Sequence, residues 1–130
     1  MRDILFRGKR LDNGAWVYGS LLQVECDDGS IVTDIFERKD SGGDAEVHPS
    51  TVGQYTGLKD KHGNRIFEGD VLTVDGEDGF FVLEFQEDTA RFVMSGDSIV
   101  VDFDNFWSYE VEVMGNIHDN PELLEGGESE

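Results

Sequence analysis

An all-β fold of mostly antiparallel strands is predicted by three features of the sequence. Apolar residues come in short runs with period-two alternation, Gly-containing turn dipeptides separate the runs, and no long segment repeats apolar residues with the 3.6-residue period of a helix. The chain has 130 residues, with 16 Gly and two Pro. That length fits one domain over 1–125, able to bury a core without disulfides or a structural metal, and a disordered tail over 126–130. The even spacing of the runs predicts a barrel or sandwich with minor helix.

The elements follow in order. Ile4-Leu5-Phe6 opens the chain, and Asn13-Gly14 precedes the long run Ala15 to Val24. Both turn residues tolerate positive φ, so a type I′ hairpin turn is predicted there. Asp28-Gly29 makes a second turn into Ile31 to Phe36, and residues 37–46, apolar only at Ala45, read as a surface loop. Strand character resumes near Val47. Val52, Tyr55 and Leu58 carry the next run, Asp60 to Asn64 turns it, and Ile66-Phe67 begins the return. After Glu68-Gly69-Asp70, the runs Val71 to Val74, Phe80 to Phe85, Thr89 to Met94 and Tyr109 to Met114 predict four more strands. A short helix should start at Asn120-Pro121-Glu122-Leu123-Leu124, where a capping residue precedes proline at the first helical position, and stop at Gly126-Gly127.

Three stretches, taken in order, resemble the YopX-like family of small bacteriophage and prophage proteins. They are Ile4 to Lys9 with Trp16 to Gly19, then Thr51 to Val74, then Gly115 to Ile117 with Asn120 to Leu124. The resemblance implies a mostly β protein with an SH3-like barrel portion after the Glu-Gly-Asp turn, a phage setting, and no established catalytic residues. Phe67 stands where that family's pattern leads us to expect tyrosine, and His118-Asp119 where we expect tyrosine and an acid.

Charge is distributed unevenly. Residues 1–65 hold nine Lys or Arg against eleven Asp or Glu, whereas residues 66–130 hold only Arg91 against eighteen, so −17 of the net −19 lies in the second half. A phosphate-neutralising surface there is excluded, and a basic partner is favoured. Arg2, Arg7, Lys9 and Arg10 beside Trp16 and Tyr18 only superficially resemble a base-stacking platform, and the total charge opposes direct DNA binding. The single Cys26 forms no intrachain disulfide, MRDILFRGKR lacks the apolar core of a signal peptide, and no apolar run is long enough to span a bilayer. A cytoplasmic protein without membrane contact is expected.

Each residue suggestive of chemistry also has an ordinary explanation. Glu68 and Asp70 could form an acid–base pair, but no substrate-positioning group accompanies them, and a turn that uses Gly69 for its backbone angle explains them better. Asp75-Gly76-Glu77-Asp78-Gly79 invites a calcium reading. It lacks an EF-hand's ligand at position 5 and has Phe80 where that loop needs glycine, so a hairpin turn outweighs it. His48, His62, His118 and Cys26 show no short zinc-ligand spacing, and Glu25, Asp27 and Asp28 should suppress the thiolate of Cys26. Lys59-Asp60-Lys61-His62 is a weak basic patch that reads as a solvated turn. Phe103, Phe106 and Trp107, among acids, read either as satellite core or as a contact patch.

The function expected is that of an accessory protein, self-associating and binding a basic host or phage protein. The predicted contacts are Asp97, Asp102, Phe103, Asp104, Phe106, Trp107, Glu110 and Glu112, with no cofactor, metal or catalytic residue. Two alternatives stand beside it: a DNA mimic that occupies a nucleic-acid-binding protein, and a small hydrolase with a carboxylate site.

Overall fold

The computed structural model describes residues 4–37, 44–96, 99–104 and 109–126. In chain order they form β1 (Phe6–Lys9), β2 (Trp16–Glu25), β3 (Ile31–Phe36), β4 (Asp44–Glu46), a 3₁₀ turn (Pro49–Thr51), β5 (Gly53–Lys59), β6 (Arg65–Phe67), β7 (Asp70–Val74), β8 (Phe81–Gln86), β9 (Arg91–Ser95), β10 (Val100–Asp102), β11 (Val111–Asn116) and α1 (Glu122–Gly126). All the registered strand pairs are antiparallel, as the alternation and short turns require. No helix among the described residues is long and apolar enough to cross a membrane. The chain divides into two compact units, 1–55 and 56–130.

In the first unit β4, β3, β2, β1 and the start of β5 lie side by side. One face carries its core, Val17, Ile35, Ala45 and Val47, with Phe6, Leu21 and Val52 packed against them. The register explains this choice of face. Phe6 opposes Gly19, Leu21 opposes Ile35 and Ile35 opposes Ala45, so the alternate positions of four strands converge. Two further hydrogen bonds flank the isolated bridge Arg10↔Val47: Leu11 N–H donates to Glu46 O at 2.9 Å and His48 N–H donates to Lys9 O at 2.9 Å. The end of β1 is thus stitched to the chain leaving β4.

Two sequence expectations for this unit are corrected. The loop read over 37–46 includes β4, a strand too short to show an apolar pattern and formed because β3 offers it a partner. Residues 38–43 lie outside the described residues. The Asn13-Gly14 turn is not type I′: strands end at Lys9 and Trp16, leaving six residues between, and only Gly14 has positive φ, at 73°. Gly14 N–H donates to Arg10 O, and the Asn13 side chain accepts from Ala15 N–H at 2.9 Å, an Asx arrangement that stands in for the tighter turn.

The second unit contains a five-stranded sheet in the order β10-β9-β8-β7-β11. Its core is Ile66, Leu72, Val74, Phe81, Leu83, Met94, Phe103 and Val111, with Leu58, Phe92, Val101 and Val113 against it. The SH3-like barrel expected after the Glu-Gly-Asp turn is not closed. The sheet is open, with β10 and β11 as its edges, and the three-residue β10 is too short to ladder around to β11. Strand β10 escaped the sequence reading for the same reason as β4.

The terminal helix forms over Glu122–Gly126 as predicted, and Leu123 N–H donates to the Asn120 carbonyl at 3.1 Å. Asn120 Oδ1 accepts from Asn116 N–H at 3.2 Å and lies so close to Gly115 that a Cβ there would come within 2.5 Å of it. The 126–130 tail lies outside the described residues except for Gly126.

Candidate functional site

Glu68-Gly69-Asp70 joins β6 to β7, and the backbone of Gly69 is engaged on both sides. Gly69 has φ +94°, its N–H donates to Leu83 O at 2.7 Å, and its carbonyl accepts from Ile117 N–H at 2.9 Å. One peptide thereby ties β8 and the end of β11 to the turn. Asp70 is 2% exposed, and its Oδ2 accepts from Phe67 N–H at 2.7 Å. This geometry gives the Asp70 carboxylate a turn-closing bond.

The residue that sequence reasoning missed is Asp60. It is 5% exposed and accepts four hydrogen bonds: His62 N–H and Asn64 N–H on Oδ1, and Asn64 Nδ2 and Val113 N–H on Oδ2. Burial pushes its pKa up, but the bonds from Val113, Asn64 and His62 together prevail and hold the carboxyl below its ordinary range. Lys61 N–H also donates to Val111 O at 3.1 Å. The turn over 60–64 therefore covers the outer edge of β11, which would otherwise present open backbone groups. A signal for it was available: Asp60-Lys61-His62-Gly63-Asn64 places Gly63 at φ +87° in the same hydrogen-bond pattern as Cys26-Asp27-Asp28-Gly29-Ser30.

The proposed partner contacts separate. Asp102 and Asp104 belong to the β10 edge, Glu110 and Glu112 to the β11 edge, at opposite ends of the sheet. Phe103 is 7% exposed and belongs to the core, so its ring packs inward. Asp97, Phe106 and Trp107 lie outside the described residues. Register places Asp102 and Glu84 opposite Val93 from its two sides, and Glu112 opposite Thr73, so Glu84, Asp102 and Glu112 share the face turned away from Leu72, Leu83 and Met94. On that face Arg91 Nη1 meets Asp102 Oδ2 at 2.7 Å, and Ser95 Oγ donates to Glu84 Oε1 at 2.9 Å.

The remaining suggestive groups do not converge. Asp75 is drawn to Lys61 Nζ at 2.6 Å, while Glu77 N–H closes the turn on Val74 O, so the 75–79 acids follow a turn. His62 Nε2 stands 3.6 Å from Glu112 Oε2, and both are surface groups. Among the described residues no three His, Cys, Asp or Glu side chains are placed to hold a metal ion. Arg7 and Lys9 sit over Trp16, at 4.7 and 5.6 Å from the ring centroid, a cation–π arrangement on the side of β1 that faces away from the first unit's core. Carboxylates crowd at Asp34, which opposes Glu46 across the strands and hydrogen-bonds with Asp44. Its pKa is raised by burial first, then by a hydrogen bond with Asp44 and the charges of Asp44 and Glu46.

Among curated proteins none matches the chain. Among solved structures, the crystal structure of protein EF1440 from Enterococcus faecalis superposes with a TM-score of 0.60 at 24% identity, covering 95% of this chain and 99% of that one, a likeness of fold. A family model described as YopX protein matches residues 5–125. That span takes in the Gly69 turn, the Asp60 turn and both sheets, and the chain belongs to the YopX protein family.

Proposed function

We propose that the protein is a phage- or prophage-encoded accessory factor of the bacterial cytoplasm that works by associating with a basic protein, without catalysis. The observation that carries this reading is a set of carboxylates on the face of the five-stranded sheet opposite Leu72, Leu83 and Met94, a face on which Val71 and Val93 are themselves 0% and 1% exposed. Glu84, Asp102 and Glu112 project from three strands on that side, and the only cation after residue 65, Arg91, is already held by Asp102 at 2.7 Å. Neighbouring strands lie about 4.8 Å apart, so Asp102 and Glu84, two strands apart, stand about 10 Å from one another. Carboxylates spread in this way suit several lysines or arginines on one protein surface better than a single small ligand. Self-association through the sheet edges is the companion proposal. Its support is that Val100 on the β10 edge is 55% exposed, whereas β11 is covered by the Asp60 turn.

Affinity capture from infected or lysogenic cells tests the proposal. The bait is used beside a variant with Asp97, Asp102, Asp104, Glu110 and Glu112 changed to Asn or Gln. The wild-type chain should retain a basic protein in a salt-sensitive way, mainly through the association rate, and the neutralised variant should lose it. Equal recovery by both baits, or tight binding of the wild type to duplex DNA, overturns the reading. If the partner is itself a nucleic-acid-binding protein and duplex DNA displaces it, the DNA-mimic version is selected.

A further inference from the structure

Residues 11–37 contain six Asp or Glu and no Lys or Arg, although the N-terminal half as a whole is nearly neutral. They form β2, β3 and the turn between them, and the register sorts their side chains sharply. Ser20 opposes Phe36, Leu22 opposes Asp34 and Val24 opposes Val32, all on the face away from Val17, Leu21 and Ile35. On that outward face Tyr18 is 43%, Leu22 45%, Val24 47% and Phe36 47% exposed. Four large apolar groups on one face are a contiguous patch, unlike the scattered single residues normal for a surface.

The shape and charge of the patch select an occupant. From Tyr18 to Val24 it runs about 20 Å at the rise of a strand, the length of roughly thirteen helical residues. On its β4 side Asp34 opposes Glu46 and Phe36 opposes Asp44, and at its far end stand Glu25, Asp27 and Asp28. A partner strand adding to β4 is blocked, because Leu11 and His48 already stitch that edge to β1. A second copy would set the acids of β3 and β4 against their like, and the cations that share this face, Arg7 and Lys9 of β1, are turned onto Trp16. We propose that the outward face of β2, β3 and β4 is a docking surface for an amphipathic helix of another protein, whose apolar stripe is flanked by lysines or arginines. The strands of this surface belong to a different sheet from the carboxylates of the five-stranded sheet, and the two readings stand or fall independently.

The test uses the full chain and a fluorescein-labelled 14-residue peptide of Leu and Lys in helical amphipathic order, with a sister peptide carrying Glu in place of Lys. Fluorescence anisotropy should show the Lys peptide binding wild type about tenfold more tightly than Leu22→Ser/Val24→Ser, a difference of about 1.4 kcal/mol. Asp34→Asn/Asp44→Asn/Glu46→Gln should weaken it and flatten its salt dependence, and the Glu peptide should not bind. Asp102→Asn/Asp104→Asn/Glu110→Gln/Glu112→Gln should leave affinity within about twofold of wild type. Amide-shift mapping on the wild-type chain should place the peptide on β2 and β3, and it does so without relying on any variant's folding. Equal affinity for wild type and the serine variant overturns the proposal, as do shifts confined to β8 to β11. A wild-type dimer in sedimentation that the serine variant dissolves also overturns it, giving the face to a second copy.

Discussion

Val113 donates its backbone N–H to Asp60 Oδ2 at 2.9 Å, joining residues 53 positions apart. The bond leaves β11 on the side away from β7, just before the register of β11 shifts between Val113 and Gly115. With the Lys61 N–H to Val111 O bond, it gives two successive edge positions of β11 a partner from one turn. Asp60 thus acts as a staple between a hairpin turn and a sheet edge.

Asp60→Ala should therefore lower stability by about 2–4 kcal/mol, because four donors lose one buried acceptor group together. Asp60→Asn should cost less, since its remaining oxygen still accepts. Urea denaturation with matched slopes checks both, and unchanged midpoints would show that the staple carries no energy.

Acid should remove the same contribution. The folded Asp60 carboxyl titrates below its ordinary value of 3.8, so its stabilisation is complete above that value and fades as pH falls through the depressed folded pKa. The gap in Tm between wild type and Asp60→Asn should narrow as pH is lowered below about 4. Asp34 has the opposite sign: its carboxyl is raised by burial and by Asp44 and Glu46, so its ionised form opposes folding at neutral pH. Asp34→Asn should raise stability at pH 7 by about 0.2–1 kcal/mol, the scale of a like-charge cross-strand pair, and the gain should shrink as pH falls toward 3.8. A constant gain across the acid range would exclude electrostatic relief as its source.

Gly69→Val should cost about 2–3 kcal/mol, because a β-branched residue at φ +94° is strained while both backbone bonds of position 69 remain necessary. Glu68→Ala should cost much less, its side chain being only half-buried. Comparable melting temperatures for wild type and the valine variant would refute the assignment of this turn to architecture.

Two other glycines separate backbone from side-chain crowding. A Cβ on Gly19 would come within 2.0 Å of Phe36 O, whereas one on Gly115 would first meet the Asn120 side chain at 2.5 Å. Gly19→Ala should cost about 3 kcal/mol, since the chain leaving β3 has to shift, and Gly115→Ala less, since Asn120 can turn aside. Chemical denaturation of the pair checks the order; a larger loss at 115 would contradict it.

Much of the fold was legible because its strands carry their own signals. Ile31 to Phe36 alternates cleanly behind Asp28-Gly29 and is β3 residue for residue, and β8 and β9 lie within two residues of their apolar runs. Strands β4 and β10 have three residues each and exist because a longer neighbour pairs with them, which no local pattern encodes. The role of Asp60 was hidden for a related reason: the turn chemistry is local, but the donor that makes it a staple is on β11. The candidate contacts were the least legible, since Asp102 and Glu112 look close in an eleven-residue segment yet occupy opposite edges of one sheet. Likewise, counting charge by halves concealed the cation-free stretch of β2 and β3.

The β2–β3 turn has a practical use as a reporter position. Its hydrogen bonds run through the backbone, from Cys26 N–H to Ser30 O and from Gly29 N–H to Cys26 O, and leave the side chain of the chain's only cysteine outside the turn's scaffold. Cys26 is half-buried, at the end of the strand that displays Leu22 and Val24. One maleimide dye on the native sequence would thus stand a few residues from the apolar patch, so that a change in its emission would report occupancy of that face.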